Sequence, residues 1–194
     1  GRIRLSFTFK NERKGFQGIA EDFTPVPWGN RRYLVPSDEI IGFCNEVNDG
    51  SEPRDGPHGT YLMRSGDEKT PVSGFPDVPR DYRGYLLANP IRAGIIAIGS
   101  VTTRPSVCEW RFKDTTVILD AGKDKGLRVG MGMRIVTPDD RYESVRITKV
   151  EDTRSEAVIS QIGEEEPGPQ TGWRLSTRCR WHEEDEETAP PAEP

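Results

Sequence analysis

Thr115-Thr-Val-Ile-Leu-Asp120-Ala-Gly-Lys-Asp-Lys-Gly-Leu-Arg-Val-Gly-Met131-Gly-Met-Arg-Ile-Val136 is the stretch on which the reading of the fold turns. Its two ends, Thr115–Leu119 and Met133–Val136, are rich in β-branched and aliphatic residues and read as strands. Between them Gly122, Gly126 and Gly130 punctuate a charged tip. Glycine adopts positive φ at little steric cost, so these three are expected to bend a long connection between adjoining strands. Leu127 is placed to fold back under that turn, and the connection reads as the corner around which a small β-barrel closes.

The same character extends outward. From Pro90 onward, strand-like runs follow at regular spacing: Ile91–Val101, Val107–Phe112, Thr115–Leu119, Met133–Val136, Glu143–Val150, Glu156–Gln161 and Gly172–Arg178. With turn residues between them, they predict an all-β barrel or sandwich over 90–181. The first part, 1–89, reads as α+β. Ile3, Leu5, Phe7 and Phe9 alternate with polar residues, which is the period of a half-buried strand, and Phe16–Phe23 is expected to return beside it. Pro25-Val-Pro-Trp-Gly-Asn30 reads as too proline-rich for a ladder, and Arg31–Val35 as a short strand. Pro36-Ser-Asp-Glu39 reads as the start of the one helix: Ser37 is the expected cap, with Asp38 and Glu39 in the first turn. Ile40, Ile41, Cys44 and Val47 would share a face, and Gly50 would end it. Thr60–Arg64 and Pro71–Ser73 are possible strands, and Phe75–Arg83 a coil with a helical turn, anchored by Tyr82, Tyr85, Leu86 and Leu87. The fold class expected is therefore mainly β, an α+β N-terminal part with one short helix and then an all-β small barrel. The acidic, proline-bearing tail 182–194 reads as disordered.

Composition limits the partners. The chain has 194 residues, 33% hydrophobic and 30% charged, with net charge −5. Six acids and no base lie between Glu183 and Pro194, and the rest carries 26 acidic against 27 basic residues. A nearly neutral body lacks the concentrated basic face that nucleic-acid binding needs, so no nucleic acid is expected. The longest uncharged run, Ala93–Thr103, falls well short of the ~20 residues of a spanning helix, so no transmembrane segment is expected. No signal peptide is readable, and because the chain opens on Gly1 rather than Met, Gly1 is expected to be a remnant of trimming. Cys44, Cys108 and Cys179 form no CxxC pair; at most one disulfide can join two of them, and the preferred reading is three part-buried cysteines packing as small hydrophobes.

The order Asp120-x-Gly122-x-x-x-Gly126-Leu127-x-x-Gly130-Met131, followed by Ser144–Asp152 and Arg154-Ser-Glu-Ala-Val-Ile159, resembles the small C-terminal β-barrel of flagellar assembly protein T and of the rod-shape protein MreC. The resemblance spans roughly 115–175 and is carried by turn glycines and core aliphatics. Asp120 stands where those families commonly have Asn, and their final V-G-D corner is reduced here to Gln170-Thr-Gly172. Both families are non-enzymatic parts of the bacterial envelope. The resemblance therefore implies a periplasmic or otherwise exported protein whose partner is another envelope protein, with the cytoplasm as the alternative. In the first half, Pro27–Pro36 and Phe43–Asn48 resemble a segment of uncharacterised bacterial proteins, from which no activity follows.

Motifs for chemistry are tested one by one. His58 and His182 are the only histidines, and neither has a partner at zinc spacing. His182 beside Glu183 and Glu184 reads as solvated. The Asp120-x-Gly-x-Asp124 start fails as a calcium loop, with Lys125 where glycine is needed and Met131 where a bidentate glutamate is needed. Gly122-Lys123 fails as a phosphate loop, because no Ser or Thr follows the lysine and a strand follows instead of a helix. No G-x-S-x-G elbow exists, and the carboxylate pairs Asp38/Glu39 and Asp139/Asp140 sit where capping and turns use them. No cofactor and no metal are expected, and no catalytic residue is nominated.

One cluster suits binding. Trp28, Arg31, Arg32 and Tyr33 bring aromatic surface and two guanidinium groups together at a strand entry, a combination enriched where interfaces concentrate their energy. The competing reading is that Trp28 and Tyr33 close the small core while the arginines are solvated. The expectation is a non-catalytic binding or scaffold module that presents loops and edges to another macromolecule. Two alternatives stand beside it: a small-ligand binder with a pocket between the two units lined by Trp28, Arg31 and Tyr33, and an enzyme whose site only the fold assembles.

Overall fold

The computed structural model describes residues 3–7, 19–53, 60–63, 66–105, 111–138, 143–162 and 167–178. The fold is mainly β, with one α-helix among the described residues. The chain divides into two units, residues 1–47 with 52–86 and residues 48–51 with 87–194. Cys108, Cys179, His58, His182, the Asp139/Asp140 pair and the acidic tail lie outside the described residues.

In the first unit, β1 (Ile3–Phe7), β2 (Ile19–Trp28), β3 (Arg31–Pro36) and β4 (Tyr61–Leu62) form one antiparallel sheet in that order. The ladder runs through Pro25 and Pro27, contrary to expectation. The reason is the register: Pro25 and Pro27 stand opposite Leu34 and Arg32, and among the described residues β2 has β3 alone as neighbour from residue 24 onward. Pro25 and Pro27 share the odd-numbered phase that faces away from β3. The Pro27 carbonyl accepts the Asp77 amide at 2.7 Å on that side, and no ladder hydrogen bond is asked of either ring nitrogen.

The helix α1 spans Ile40–Asn48. It starts later than expected, because Pro36 ends β3 and Ser37 and Asp38 form a turn. The Ser37 hydroxyl meets the Thr24 hydroxyl at 3.0 Å instead of capping, and the first turn carries no acid. Ile40, Phe43, Cys44 and Val47 are the buried face, with Ile41 only half-buried. They form the core with Val26, Tyr33, Val35 and Val78, and Trp28, Tyr82, Tyr85 and Leu86 lie against it. Arg80–Tyr85 supplies the expected helical turn as a 3-10 helix, whereas Pro71–Ser73 is not a strand.

The second unit is a closed antiparallel barrel of six strands: β5 (Arg92–Pro105), β6 (Arg111–Leu119), β7 (Gly132–Thr137), β8 (Ser144–Val150), β9 (Ser155–Ile162) and β10 (Arg174–Ser176). Thr115–Leu119 and the described end of Val107–Phe112 are one strand, β6, not two. Alternation decides the interior: Ala93, Ile95, Val117, Leu119, Met133, Ile135, Val145, Ile147, Ala157, Ile159 and Leu175 are buried, with less buried residues between them.

The ring order β10-β5-β6-β9-β8-β7 corrects the reading of the corner. β6 and β7 are not adjoining but opposite one another, so the 120–131 connection crosses the end of the barrel. Lys123–Lys125 is a single 3-10 turn, and the Lys123 and Asp124 amides donate to the carbonyls of Glu151 and Asp152, both at 2.9 Å. Leu127 and Met131 are buried there. Gly126 and Gly130 have φ of 93° and 91°, as the turn demands. Gly122 does not: its φ is −138°. It is glycine for lack of room, because a Cβ would lie 2.5 Å from the carbonyl oxygens of Asp152 and Glu151.

Candidate functional site

The four residues singled out in the sequence take different positions. Arg31 is 4% exposed. Its Nη1 donates to both carboxylate oxygens of Glu52 at 3.0 and 2.8 Å and to the Tyr33 hydroxyl at 3.1 Å, and its Nε donates to the Thr70 carbonyl at 2.7 Å. The hydrogen bond to Tyr33, with Glu52 adding to it, holds the guanidinium pKa above its ordinary value in spite of burial. Tyr33 is buried, with its ring edge-on to Phe43 at 5.6 Å. Burial pushes the Tyr33 phenol pKa up, against the pull of Arg31. Trp28 is half-buried, 6.3 Å from the Tyr33 ring, and its indole N–H donates to the Gly74 carbonyl at 2.9 Å. Arg32 is exposed on β3. The structure thus brings Trp28, Arg31 and Tyr33 together around the core of the sheet and turns Arg32 outward.

Two features of the barrel had no local signal in the sequence. The first is the far half of β5. β10 pairs with β5 only along Arg92–Gly94, with a last bond between the Gly172 amide and the Ile95 carbonyl. β6 continues beside β5 as far as Pro105. From Ile96 to Pro105 every residue of β5 is exposed, and among the described residues no strand pairs with the side away from β6. Ile98 and Val101 stand opposite Val117 and Thr115, whose side chains are buried on the interior face. Directly opposite residues share a face, so Ile98 at 40% and Val101 at 53% exposure are interior-facing positions that the short β10 leaves uncovered. Register shifts at Ile95/Ala97 and Ile98/Val101 mark bulges that break the edge into short runs. On the opposite face Arg104 lies over the Phe112 ring at 4.2 Å and donates through Nε to Asp114 at 2.6 Å, and Ser160 donates to the same carboxylate at 2.6 Å. Burial raises the Asp114 pKa, but these two donors outweigh it and hold the carboxyl below its usual range.

The second feature is a cleft of about 350 Å³ lined by β5, β10, the end of β7 and the corner. Its charged residues are Arg92, Lys125, Arg174 and Asp120, all exposed. Arg174 stands opposite Gly94 on one side and Thr137 on the other, and Arg92 opposite Ser176. Asp120 is turned to the backbone, where its Oδ1 accepts the Gly94 amide at 2.7 Å, and Lys125 Nζ reaches the Asp120 carbonyl at 3.3 Å.

Among the described residues no three His, Cys, Asp or Glu side chains gather as metal ligands, and no helix is long and apolar enough to cross a membrane. Cys44 is a free, buried thiol whose pKa burial pushes up to about 12. A nucleophilic thiolate needs the opposite shift. Comparison with protein-family models, with curated proteins and with solved structures finds no match for this chain.

Proposed function

We propose that this chain is a non-catalytic binding module that takes an extended segment of another polypeptide as an added strand along Ile96–Pro105. The observation that carries the reading is the uncovered half of β5. A strand laid there would find main-chain groups along a sheet edge and cover Ile98 and Val101, the two ingredients of recognition by strand addition. The bulges keep the edge too irregular for indiscriminate stacking while leaving Val101–Arg104 in regular register with Asp114 and its neighbours. Arg31, Tyr33 and Asp114, three ionisable groups on the strands with shifted pKa values, are tied into bonds that hold the fold together, which favours binding over catalysis. The likeness of residues 115–175 to envelope-protein barrels supports a bacterial envelope protein as the partner.

The test is selection of displayed dodecapeptides on the whole chain, followed by amide exchange on the complex. Bound peptides are expected to slow exchange between Ile96 and Arg104, and Ile98→Lys with Val101→Lys is expected to abolish binding while the barrel stays folded. Peptides that bind both variants as well as wild type, or that protect another surface, would overturn the reading.

A further inference from the structure

The cationic cleft at the closure of the barrel shares no lining residue with the free edge Ile96–Pro105 of β5. Three basic side chains, Arg92, Lys125 and Arg174, line it with a single acid, and that acid is directed at the Gly94 amide. The volume, about 350 Å³, is at the small end of ligand sites and suits a few side chains rather than a large molecule. These residues come from β5, β10 and the corner, elements whose backbones are fixed by ring closure, so the positions from which the charged side chains project are set before anything binds.

We propose that this cleft is a dock for acidic polypeptide and that its occupant is the chain's own stretch Glu183-Glu-Asp-Glu-Glu187. Five acids in succession follow β10, the strand that lines the cleft. From Arg178, the last described residue, only five residue steps lead to Glu183, at most roughly 17 Å of extended chain. Tethering of that kind gives an effective concentration in the mM range. Exposed ion pairs are individually weak, but a few of them suffice against so short a tether. The match is one of sign: a net positive cleft, and the most negative segment of a chain that is otherwise nearly neutral. The inference does not depend on strand addition at β5.

The experiment uses the full chain and a full-length variant with Glu183→Gln, Glu184→Gln, Asp185→Asn, Glu186→Gln and Glu187→Gln, compared by amide resonances at low salt. The expected result is a shift at Gly94, Lys125, Thr137 and Ser176, reproduced in the wild type by raising NaCl to about 0.5 M, where the screening length falls to a few ångströms. A synthetic peptide of residues 182–194 added to the neutralised variant is expected to reverse the shift saturably. Arg174→Glu or Lys125→Glu should each weaken the peptide about tenfold, as reversal of one charge in a small cluster implies. Resonances that coincide in wild type and neutralised chain, or peptide binding indifferent to both charge reversals, would overturn the proposal. So would free glutamate producing the same shifts at equal carboxylate concentration, since the cleft would then be a small-carboxylate site.

Discussion

Replacing Gly122 by alanine adds one carbon, and the structure says where it would go: 2.5 Å from the carbonyl oxygens of Asp152 and Glu151 and 2.6 Å from the Arg154 nitrogen. All three are backbone atoms in the β8–β9 turn, so no side chain can swing aside. The corner must lift, and lifting separates the Lys123 and Asp124 amides from the carbonyls they reach at 2.9 Å. Two lost backbone hydrogen bonds cost about 1–3 kcal/mol, and partial exposure of Leu127 adds about 1–2 more, for a total of about 2–5 kcal/mol. Gly126→Ala is the matched control. Its φ of +93° imposes a left-handed penalty of about 1–2 kcal/mol, but a Cβ there meets only the Ile91 side chain at an ordinary 3.6 Å. Urea denaturation followed by circular dichroism should therefore rank Gly122→Ala clearly below Gly126→Ala. Native-state exchange should show the Leu127 amide, donated to the Gly122 carbonyl at 3.1 Å, opening more readily in the first variant. Equal stabilities, or an unchanged Leu127 amide, would mean that the close approach at the barrel end is not what selects glycine at this position.

Other consequences are open to direct measurement. Arg31→Met removes donors to Thr70, Tyr33 and Glu52 from a buried position and should cost about 2–4 kcal/mol in a urea titration, whereas Glu52→Gln, at an acceptor whose side chain is 70% exposed, should cost less than about 1 kcal/mol. Cys44 has a folded-state pKa raised by burial above its unfolded one, so its contribution is complete below about pH 9 and is lost as pH rises through about 12, and the raised Tyr33 phenol adds a loss of the same sign; an alkaline melt series should show falling stability there, and Cys44→Ala a shallower fall. The same thiol should resist alkylation at pH 8 until denaturant is added. Asp114, held below its usual range, contributes stability above that range and loses it as pH falls through the lowered value; Asp114→Asn should flatten the acid limb of the stability profile, and an unaltered acid limb would contradict the Arg104 and Ser160 contacts.

What the sequence made legible was local. Glu156–Gln161 reads as a strand and lies within β9, and the turn glycines 126 and 130 take the φ values that their setting suggested. What escaped was set at a distance. Pro25 and Pro27 argue against a ladder until one knows their register with β3, which turns both ring nitrogens away from it. Arg31 reads as a surface or interface charge because its partners, Glu52 and Thr70, lie 21 and 39 residues away. Arg92, Lys125 and Arg174 carry no shared motif, and only closure of the ring brings them to one cleft. The free length of β5 is likewise a property of β10, which is three residues long, and nothing within Ile95–Pro105 records it.

That brevity of β10 has a bearing on synthesis. Every strand of the first sheet lies before residue 63, so its ladders can form while the rest of the chain is still being made. The ring is different: its seal is the triplet Arg174–Ser176, which must reach β5 and β7 at once. Until those three residues leave the ribosome, five strands stand with two raw margins, and a nascent chain is most in need of a chaperone during that interval.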